Sequence, residues 1–386
     1  MKVALVPLLL ALTLAGSPVA AASTTPSSAA TDEPTSGPQP AQFQTSPPQL
    51  SAESWILYDE TFDRRLGSRQ PDERRAIAST TKMMTALVVL EHASLEEWTV
   101  VSERAAAVGE AEIGLVAGER LTVEDLLVAL LVDSANDAAT ALAEHVGGTV
   151  ERFVGLMNLQ ARELGLYNTR FANPHGLDEP GHYSTAADLL TLARAGMAYP
   201  VFADLVRTPL APFPADPLGH SRRARTTNTL LRSYPGAFGI KTGFTAEAGL
   251  ALVAGADRDG RRLYSVVLGS EDHFADTAAL LEYGFSAFGP VEVFTSGTSY
   301  ATQRVGELVG ELLAAEESTV FLASQDADEI ELRPSLHQGA AQMSAFLDGE
   351  QVASVPLRSA RPPTLPSTRE AAAWASRYWE WLWGTG

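Results

Sequence analysis

The chain has 386 residues and a formal net charge of −19 at pH 7. This charge argues against a nucleic-acid partner, because binding phosphates requires clustered basic side chains. The absence of cysteine excludes disulfides and thiolate chemistry, and the seven scattered histidines lack metal-ligand spacing. We therefore expect no metal and no cofactor.

Residues 1–22 have the pattern of a secretory signal peptide: Lys2, an apolar run over residues 3–15, and then small residues. The run is shorter than the roughly 20 residues of a membrane-spanning helix, and an uncleaved anchor is the alternative. Residues 23–50 are rich in Pro, Ser and Thr, which predicts a disordered linker. We expect an exported protein, on the extracytoplasmic face of the cell envelope or secreted, that begins to fold near Ser51.

Residues 51–288 combine strand-like and helical patterns. Alternating apolar residues predict a first strand over Trp55–Asp59. Helical spacing then recurs in stretches at 81–92, 122–130, 153–164 and 185–198. Two later apolar runs around a glycine-containing turn, at 250–255 and 262–269, predict an antiparallel hairpin, and residues 274–285 predict a helix. Together they indicate an α/β (α+β) domain, with an antiparallel sheet flanked by helices and an inserted helical lobe.

Two further segments follow this domain. Residues 289–360 carry short strand-like runs, which predict a small all-β domain. Residues 367–384 predict an amphipathic helix that holds four of the six tryptophans. Such a helix suits peripheral contact with a membrane interface. Because only Arg369 and Arg377 provide positive charge on it, packing against the β domain is the alternative.

Three short motifs contain groups suited to serine acyl transfer: Ser79-Thr80-Thr81-Lys82, Ser134-Ala135-Asn136 and Lys241-Thr242-Gly243. Ser79 and Lys82 are three residues apart at the predicted start of a helix, so their side chains share one face. A serine hydroxyl needs a base to become nucleophilic, and a desolvated neutral lysine is a suitable base.

The use of lysine supports this interpretation. The chain contains only three lysines, at positions 2, 82 and 241, whereas its other Lys/Arg cations are arginines. Arginine cannot lose its proton in a protein, but a buried lysine can. The two lysines beyond the predicted signal peptide therefore indicate a need for an amine at these positions.

The second and third motifs suit substrate binding. Ser134 and Asn136 are predicted to close a helix, where Ser134 would relay a proton and Asn136 would hold a substrate amide; ordinary helix capping is the alternative. Lys241 and Thr242 lie on a predicted strand and suit a terminal carboxylate of a substrate that adds as an extra strand. Gly243 would let the substrate backbone approach. A lysine that only discourages edge-to-edge aggregation is the alternative.

In this order, the three motifs resemble the S-x-x-K, S-x-N and K-T-G set of penicillin-binding proteins and serine β-lactamases. Four longer stretches resemble the low-molecular-mass D-alanyl-D-alanine carboxypeptidases, the penicillin-binding protein 5 type: IASTTKMMTALVVLE, LLVDSANDAATALAE, LGLYNTRFANPHGLDEPGHYSTAADL and NTLLRSYPGAFGIKTGFTAEAG. The resemblance covers most of residues 51–288. It implies a serine DD-peptidase/β-lactamase-like fold followed by a small β domain.

The resemblance also implies an activity: removal of the terminal D-Ala from peptidoglycan stem pentapeptides, with inhibition by penicillins and other β-lactam antibiotics. Ser79 would be the acylated nucleophile and Lys82 its base, while Ser134 would assist proton transfer.

The resemblance further implies the binding roles. Asn136 would bind the substrate amide, and Lys241 and Thr242 would hold the C-terminal carboxylate of the stem peptide or of a penicillin, beside Gly243. The oxyanion hole would consist of the backbone N–H groups of Phe244 and of the nucleophile.

The sequence departs from the family at Glu271-Asp272-His273, where relatives often carry an arginine that helps to read the carboxylate. His175 and His182 are expected to structure a loop. A DD-endopeptidase would use the same residues and is the main alternative. A β-lactamase is less favoured, because the string nearest to E-x-x-L-N, at 163–168, is one residue too long. An inactive penicillin-binding module is a further alternative.

Overall fold

The computed structural model describes residues 46–305, 308–337 and 340–360, together with a two-residue strand β1, Leu12–Thr13. Except for that strand, the predicted signal peptide, the linker up to residue 45 and the predicted helix at 367–384 lie outside the described residues. The chain divides into two compact units, one formed by Gln44–Phe288 and the other by residues 1–43 and 289–386.

The first unit contains a five-stranded antiparallel sheet in the order β3-β2-β10-β9-β8. Its strands are β2 Ser54–Asp59, β3 Arg64–Arg69, β8 Ala237–Thr245, β9 Gly249–Arg258 and β10 Arg261–Ser270. The predicted hairpin is confirmed as β9–β10. Its two turn residues, Asp259 and Gly260, have φ values of 50° and 78°, as hairpin turns require. Strand β8, with the third motif, lies at the sheet edge.

Helices fill the segment between β3 and β8. They are α1 Lys82–His92, α2 Glu103–Ala106, α3 Val123–Val128, α4 Asn136–Gly147, α5 Val150–Glu163, α6 Ala186–Met197, α7 Pro200–Val206 and α8 Leu230–Ser233, and α9 His273–Ala287 follows β10. Two short ribbons, missed by the sequence analysis, join β4 Trp98–Val100 to β5 Arg120–Thr122 and β6 Leu210–Phe213 to β7 Arg222–Arg225. Among the described helices, no single one is long and apolar enough to span a membrane. Only α6 and α7 taken together reach that length and hydropathy, and they are bent by 111° relative to each other.

Two boundaries differ from the sequence prediction, and both lie in the motifs. Ser79 is not in the first turn of α1 but in a preceding 3₁₀ turn, Ala78–Thr81. Asn136 does not close α3 but begins α4. Between α3 and α4 lies a π-helical turn, Ala129–Asp133. It ends at Ser134, whose backbone is in the left-handed region with φ 66°. Single π turns are frequent at functional sites, and apolar spacing does not reveal them.

The second unit contains the predicted C-terminal β structure. Its large sheet has the order β1-β12-β13-β17-β16-β15. The strands are β11 Phe288–Phe294, β12 Ser299–Val305, β13 Leu308–Ala314, β14 Ser318–Ala323, β15 Glu331–His337, β16 Ala340–Leu347 and β17 Glu350–Ser359, of which β11 pairs with β14. A small apolar core around Phe294, Met343 and Val355 supports them. The mixed α/β domain and the all-β segment confirm the predicted fold class.

Asp276 of α9 holds Ser51 and Ala52 beside the sheet. Its carboxylate accepts hydrogen bonds from Ser51 Oγ at 2.7 Å, Ala52 N at 2.8 Å and Ser270 Oγ at 2.6 Å. Because β2 begins two residues after Ala52, these bonds position β2 beside β10.

We expect Asp276→Ala to lower the free energy of unfolding by about 2–4 kcal/mol, because it leaves buried donors without an acceptor. Urea denaturation measures the change. Glu271→Ala, an exposed acidic neighbour, is the control and should change stability by less than about 0.5 kcal/mol. Equal losses in the two variants would contradict this role of Asp276.

Candidate active site

The turn that carries Ser79 is fixed by its own side chains. Ala78 has φ 47°, which is unusual for a residue with a Cβ atom. Thr80 Oγ1 donates to the carbonyl oxygen of Ile77 at 2.7 Å, and Thr81 Oγ1 donates to that of Ala78 at 2.8 Å. The two threonines of the S-T-T-K motif therefore stabilise the strained turn.

Lys82 is fully buried and has three polar neighbours. Its Nζ lies 2.9 Å from Ser79 Oγ, 2.7 Å from Asn136 Oδ1 and 2.8 Å from the carbonyl oxygen of His175. The two carbonyl-type oxygens can only accept hydrogen bonds. A neutral amine has two N–H donors for them, and its lone pair is then directed at Ser79 Oγ, which donates its proton.

The surroundings of Lys82 favour the neutral amine. Burial, and after it the positive charge of Lys241, lower the pKa of Lys82 well below its usual value, while Asp137 and Glu110 act in the opposite direction. In the described part of the chain, no carboxylate lies within hydrogen-bonding distance of Lys82 Nζ or Ser79 Oγ. An amine whose pKa is lowered toward the working pH is more often unprotonated, and only the unprotonated amine can take up the proton of a neighbouring hydroxyl.

The orientation of the Asn136 amide is set by its second contact. Its Nδ2 donates to the carbonyl oxygen of Gly109 at 3.1 Å, so its Oδ1 faces Lys82. The backbone N–H of Asn136 donates to the carbonyl oxygen of Ala111 at 2.6 Å. Loop residues after α2 thus hold the side chain that binds Lys82, and one Nδ2 hydrogen stays available for a substrate carbonyl.

A second group of bonds surrounds Lys241 on β8. Its Nζ donates to Ser134 Oγ at 2.8 Å and to the carbonyl oxygen of Thr242 at 2.9 Å. Burial lowers the pKa of Lys241 to about 7, against the opposing effect of Asp133. Thr242 Oγ1 lies 2.6 Å from Thr227 Oγ1, a hydroxyl that the sequence analysis did not identify. Three hydroxyls and a titratable amine therefore meet at this edge.

Gly243 connects the two groups of bonds. A Cβ atom at this position would lie 3.1 Å from Ser79 N and 3.1 Å from the carbonyl oxygen of Ile77. Gly243 was expected to let the substrate backbone approach β8. In the structure it also lets the Ser79 turn pack on β8. The next residue, Phe244, has a side chain that is 66% exposed on the edge strand.

The sequence analysis expected His182 only to structure a loop, and its contacts confirm this. The N–H of Ala172 donates to Nδ1 at 3.1 Å, so Nε2 carries the proton and donates to Thr81 Oγ1 at 2.7 Å. Burial lowers the pKa of His182 to about 4, which keeps the ring neutral. This loop also packs Gly176 on the turn, where a Cβ atom would lie 1.9 Å from the Ala78 oxygen.

Asp272, in the acidic segment before α9, has a local role. Asp272 caps α9, where its carboxylate accepts from Ala275 N at 3.0 Å. Within the described ranges, no three His, Asp or Glu side chains are grouped as metal ligands.

The buried lysines predict stability that rises with pH. Because burial lowers the pKa of Lys241 from 10.5 to about 7, the unfolded chain binds more protons than the folded chain between these values. The free energy of unfolding therefore rises with pH over that window, and Lys82 acts in the same direction. In Lys241→Met the slope should fall by about 1.4 kcal/mol per pH unit. Urea titrations across the window measure it, and identical slopes would contradict the lowered pKa.

Gly243→Ala should slow acylation of Ser79 by about 10- to 100-fold, because the new methyl group displaces the Ser79 turn from β8. Gly155→Ala is the matched control, since a Cβ atom in that part of α5 meets nothing within 4 Å. The rate of covalent labelling by a fluorescent penicillin measures both. Equal rates in the two variants would refute the packing argument.

Comparison with known proteins agrees with this geometry. The model of the D-alanyl-D-alanine carboxypeptidase family (peptidase S11) matches residues 41–272. D-alanyl-D-alanine carboxypeptidase DacF of Bacillus subtilis is 34% identical over 262 residues, 66% of this chain and 67% of that protein. Penicillin binding protein 5 from Haemophilus influenzae has a structure with 29% identity and a TM-score of 0.63, over 82% of this chain and 98% of that chain. The Streptomyces K15 DD-transpeptidase structure has 32% identity and a TM-score of 0.59, over 62% of this chain and 99% of that chain. The chain therefore belongs to the D-alanyl-D-alanine carboxypeptidase family of serine peptidases.

Proposed function

We propose that the protein removes the terminal D-Ala from peptidoglycan stem peptides through an acyl-enzyme on Ser79. The observation that carries this proposal is the 2.9 Å contact between Ser79 Oγ and the buried amine of Lys82. Burial and the neighbouring Lys241 charge lower the pKa of Lys82 against the opposing effects of Asp137 and Glu110, and so favour the unprotonated amine that the reaction needs. The family membership supports the same reaction.

In the acylation step, Lys82 Nζ takes the proton of Ser79 Oγ, which attacks the carbonyl carbon of the penultimate D-Ala. The oxyanion would be stabilised by the backbone N–H groups of Ser79 and Phe244. The close packing of the Ser79 turn on Gly243 supports this assignment, because it brings the two backbone segments together. One such donor is typically worth about 100- to 1,000-fold in rate.

Lys241 and Thr242, with Thr227 beside them, would hold the terminal carboxylate of the substrate. Ser134 bridges toward this group through its 2.8 Å contact with Lys241. We assign to Ser134 Oγ the delivery of its proton to the leaving D-Ala nitrogen, and it regains one from Lys82, which returns to the neutral amine. When the peptide C–N bond breaks, the nitrogen takes that proton. The open edge of β8 supports binding of the substrate as an added strand.

In the deacylation step, water attacks the ester on Ser79 while Lys82 accepts its proton, and the serine recovers its hydroxyl. A penicillin would acylate Ser79 in the same way. The described residues place no carboxylate against Ser79 or Lys82, whereas class A β-lactamases use a glutamate to activate water. Slow hydrolysis of the penicillin adduct, and hence inhibition, follows. Because one relative is named a DD-transpeptidase, an amine acceptor is the second candidate for this step.

We also propose that the protein acts outside the cytoplasm. This rests on the signal-peptide pattern of residues 1–22 and on a family that acts on cell-wall peptides. Residues 289–360 form a β domain after the catalytic domain, 51–288. We further propose that residues 367–384 make peripheral contact with the membrane surface. This proposal rests on the four tryptophans of that segment. We propose no nucleic-acid partner.

Ser79→Ala and Lys82→Arg should both abolish the covalent penicillin adduct, since arginine keeps the positive charge but cannot accept a proton. Intact mass after incubation with a fluorescent penicillin measures the adduct, and release of D-Ala from a D-Ala-D-Ala peptide measures turnover.

The parent should form a stable one-to-one adduct and release D-Ala. A folded parent without an adduct would contradict the proposal and favour an inactive binding module. Rapid turnover of the penicillin would favour a β-lactamase. Cleavage of cross-linked stems in place of pentapeptides would favour an endopeptidase.

A further inference from the structure

A cavity of about 550 Å³ lies behind the loop that binds Lys82. One of its walls includes His175, whose carbonyl oxygen binds Lys82 Nζ. Another wall includes Val108. The next residue, Gly109, accepts a hydrogen bond from Asn136 Nδ2 through its carbonyl oxygen. The cavity therefore adjoins the acylation site through both loops that position its polar groups. Its volume falls within the roughly 300–1,000 Å³ of small-molecule sites.

The lining of the cavity combines an apolar wall with charges of both signs. The apolar part includes Val150, Val154 and Phe171. The charged part consists of Arg104, Arg170, Glu151 and Glu179, whose formal charges cancel.

These charged groups differ in their partners. Arg104 pairs with Glu151 at 3.0 Å, and Glu179 accepts from Asn173 Nδ2 at 3.0 Å. Across the described residues, no carboxylate forms an ion pair with Arg170. Arg170 is among the residues that line the cavity, so its guanidinium can pair with an anionic ligand bound there.

The substrate direction that follows from the proposed function leads toward the loop of this cavity. With the terminal carboxylate at Lys241 and the scissile carbonyl at Ser79, the rest of the stem would run along β8 past Phe244. At that end of β8, Asp178 accepts from Thr245 Oγ1 at 2.6 Å and from Glu247 N at 3.1 Å. The loop that carries Asp178 also forms one wall of the cavity. The residue before D-Ala-D-Ala therefore passes beside this loop.

We propose that the cavity binds the side chain of the stem residue that precedes D-Ala-D-Ala, and that it selects a side chain ending in both an ammonium and a carboxylate, as in meso-diaminopimelate. This rests on the proposed function of the same site. Arg170 pairs with the carboxylate through its planar donors, and Glu179 or Glu151 accepts from the ammonium. A lysine side chain has no carboxylate, so it leaves Arg170 without a partner in the complex.

The test compares two acyl-peptides that end in D-Ala-D-Ala and carry either meso-diaminopimelate or L-lysine before it. The parent should show a kcat/KM for the diaminopimelate peptide about 10- to 100-fold higher than for the lysine peptide, the size expected for a charge-assisted hydrogen bond. Arg170→Gln should remove this preference and leave the lysine peptide within about 3-fold of the parent. The effect should appear mainly in KM.

Arg223→Gln, an exposed arginine on β7, is the matched control and should keep the preference. Covalent labelling of Ser79 by penicillin is the independent readout and should be unchanged in both variants. A parent that is labelled but cleaves both peptides equally would overturn this inference alone. A parent that is neither labelled nor active would instead overturn the proposed function. A preference that survives in a folded Arg170→Gln would also overturn the role of the cavity.

Discussion

A lysine amine without exposed surface, held between two carbonyl oxygens and a serine hydroxyl, is the constraint on which the rest of this site depends. Water would stabilise the ammonium form of Lys82, and the fold excludes water from it. Lys241, the second buried lysine, acts on Lys82 through its charge. Since burial disfavours the charged form of an amine, the fold itself favours the unprotonated form of Lys82, which can take up the proton of Ser79.

The surrounding residues keep this arrangement in place by close packing. At Gly176 a Cβ atom would collide with the Ser79 turn, and at Gly243 it would contact the turn at a tight 3.1 Å. His182, neutral and bonded on both ring nitrogens, holds Thr81 and through it the strained Ala78 carbonyl. Such a site lowers stability locally, because it buries amines and an uncommon backbone conformation. It gains a geometry that needs no rearrangement at the moment of reaction.

The sequence predicted the parts of this structure that have a periodic or motif signal. Regular spacing located the first strand, the β9–β10 hairpin and the helices α1, α3, α5, α6 and α9, and the motifs pointed to Ser79, Lys82 and Lys241. Strand β3 and the helices α2, α4, α7 and α8 were not predicted. The sequence did not predict the π turn that precedes Ser134, because the four buried residues of that turn, 129–132, are all apolar and so give no spacing that could mark a change of helix type.

Contacts that are made through backbone atoms could likewise not be predicted from the sequence. The His175 carbonyl that binds Lys82 and the Gly243 contact with Ser79 N depend on tertiary packing, not on side-chain identity. Thr227 was missed for a related reason, since a lone threonine in a loop has no motif that connects it to Thr242. The charged cavity beside the site combines residues from distant segments, which no local pattern brings together.

The central claim, that Lys82 is a neutral amine at neutral pH, is most directly tested by NMR of the side-chain nitrogen in a chain that lacks residues 1–22 and is labelled with [15Nζ]lysine. Only two lysine signals are expected, because Lys2 is absent from it, and Lys82→Arg assigns them. The account predicts that the Lys82 signal has the chemical shift of a free amine at pH 7 and converts to that of an ammonium only in acid. An ammonium signal from Lys82 at pH 7 would contradict it.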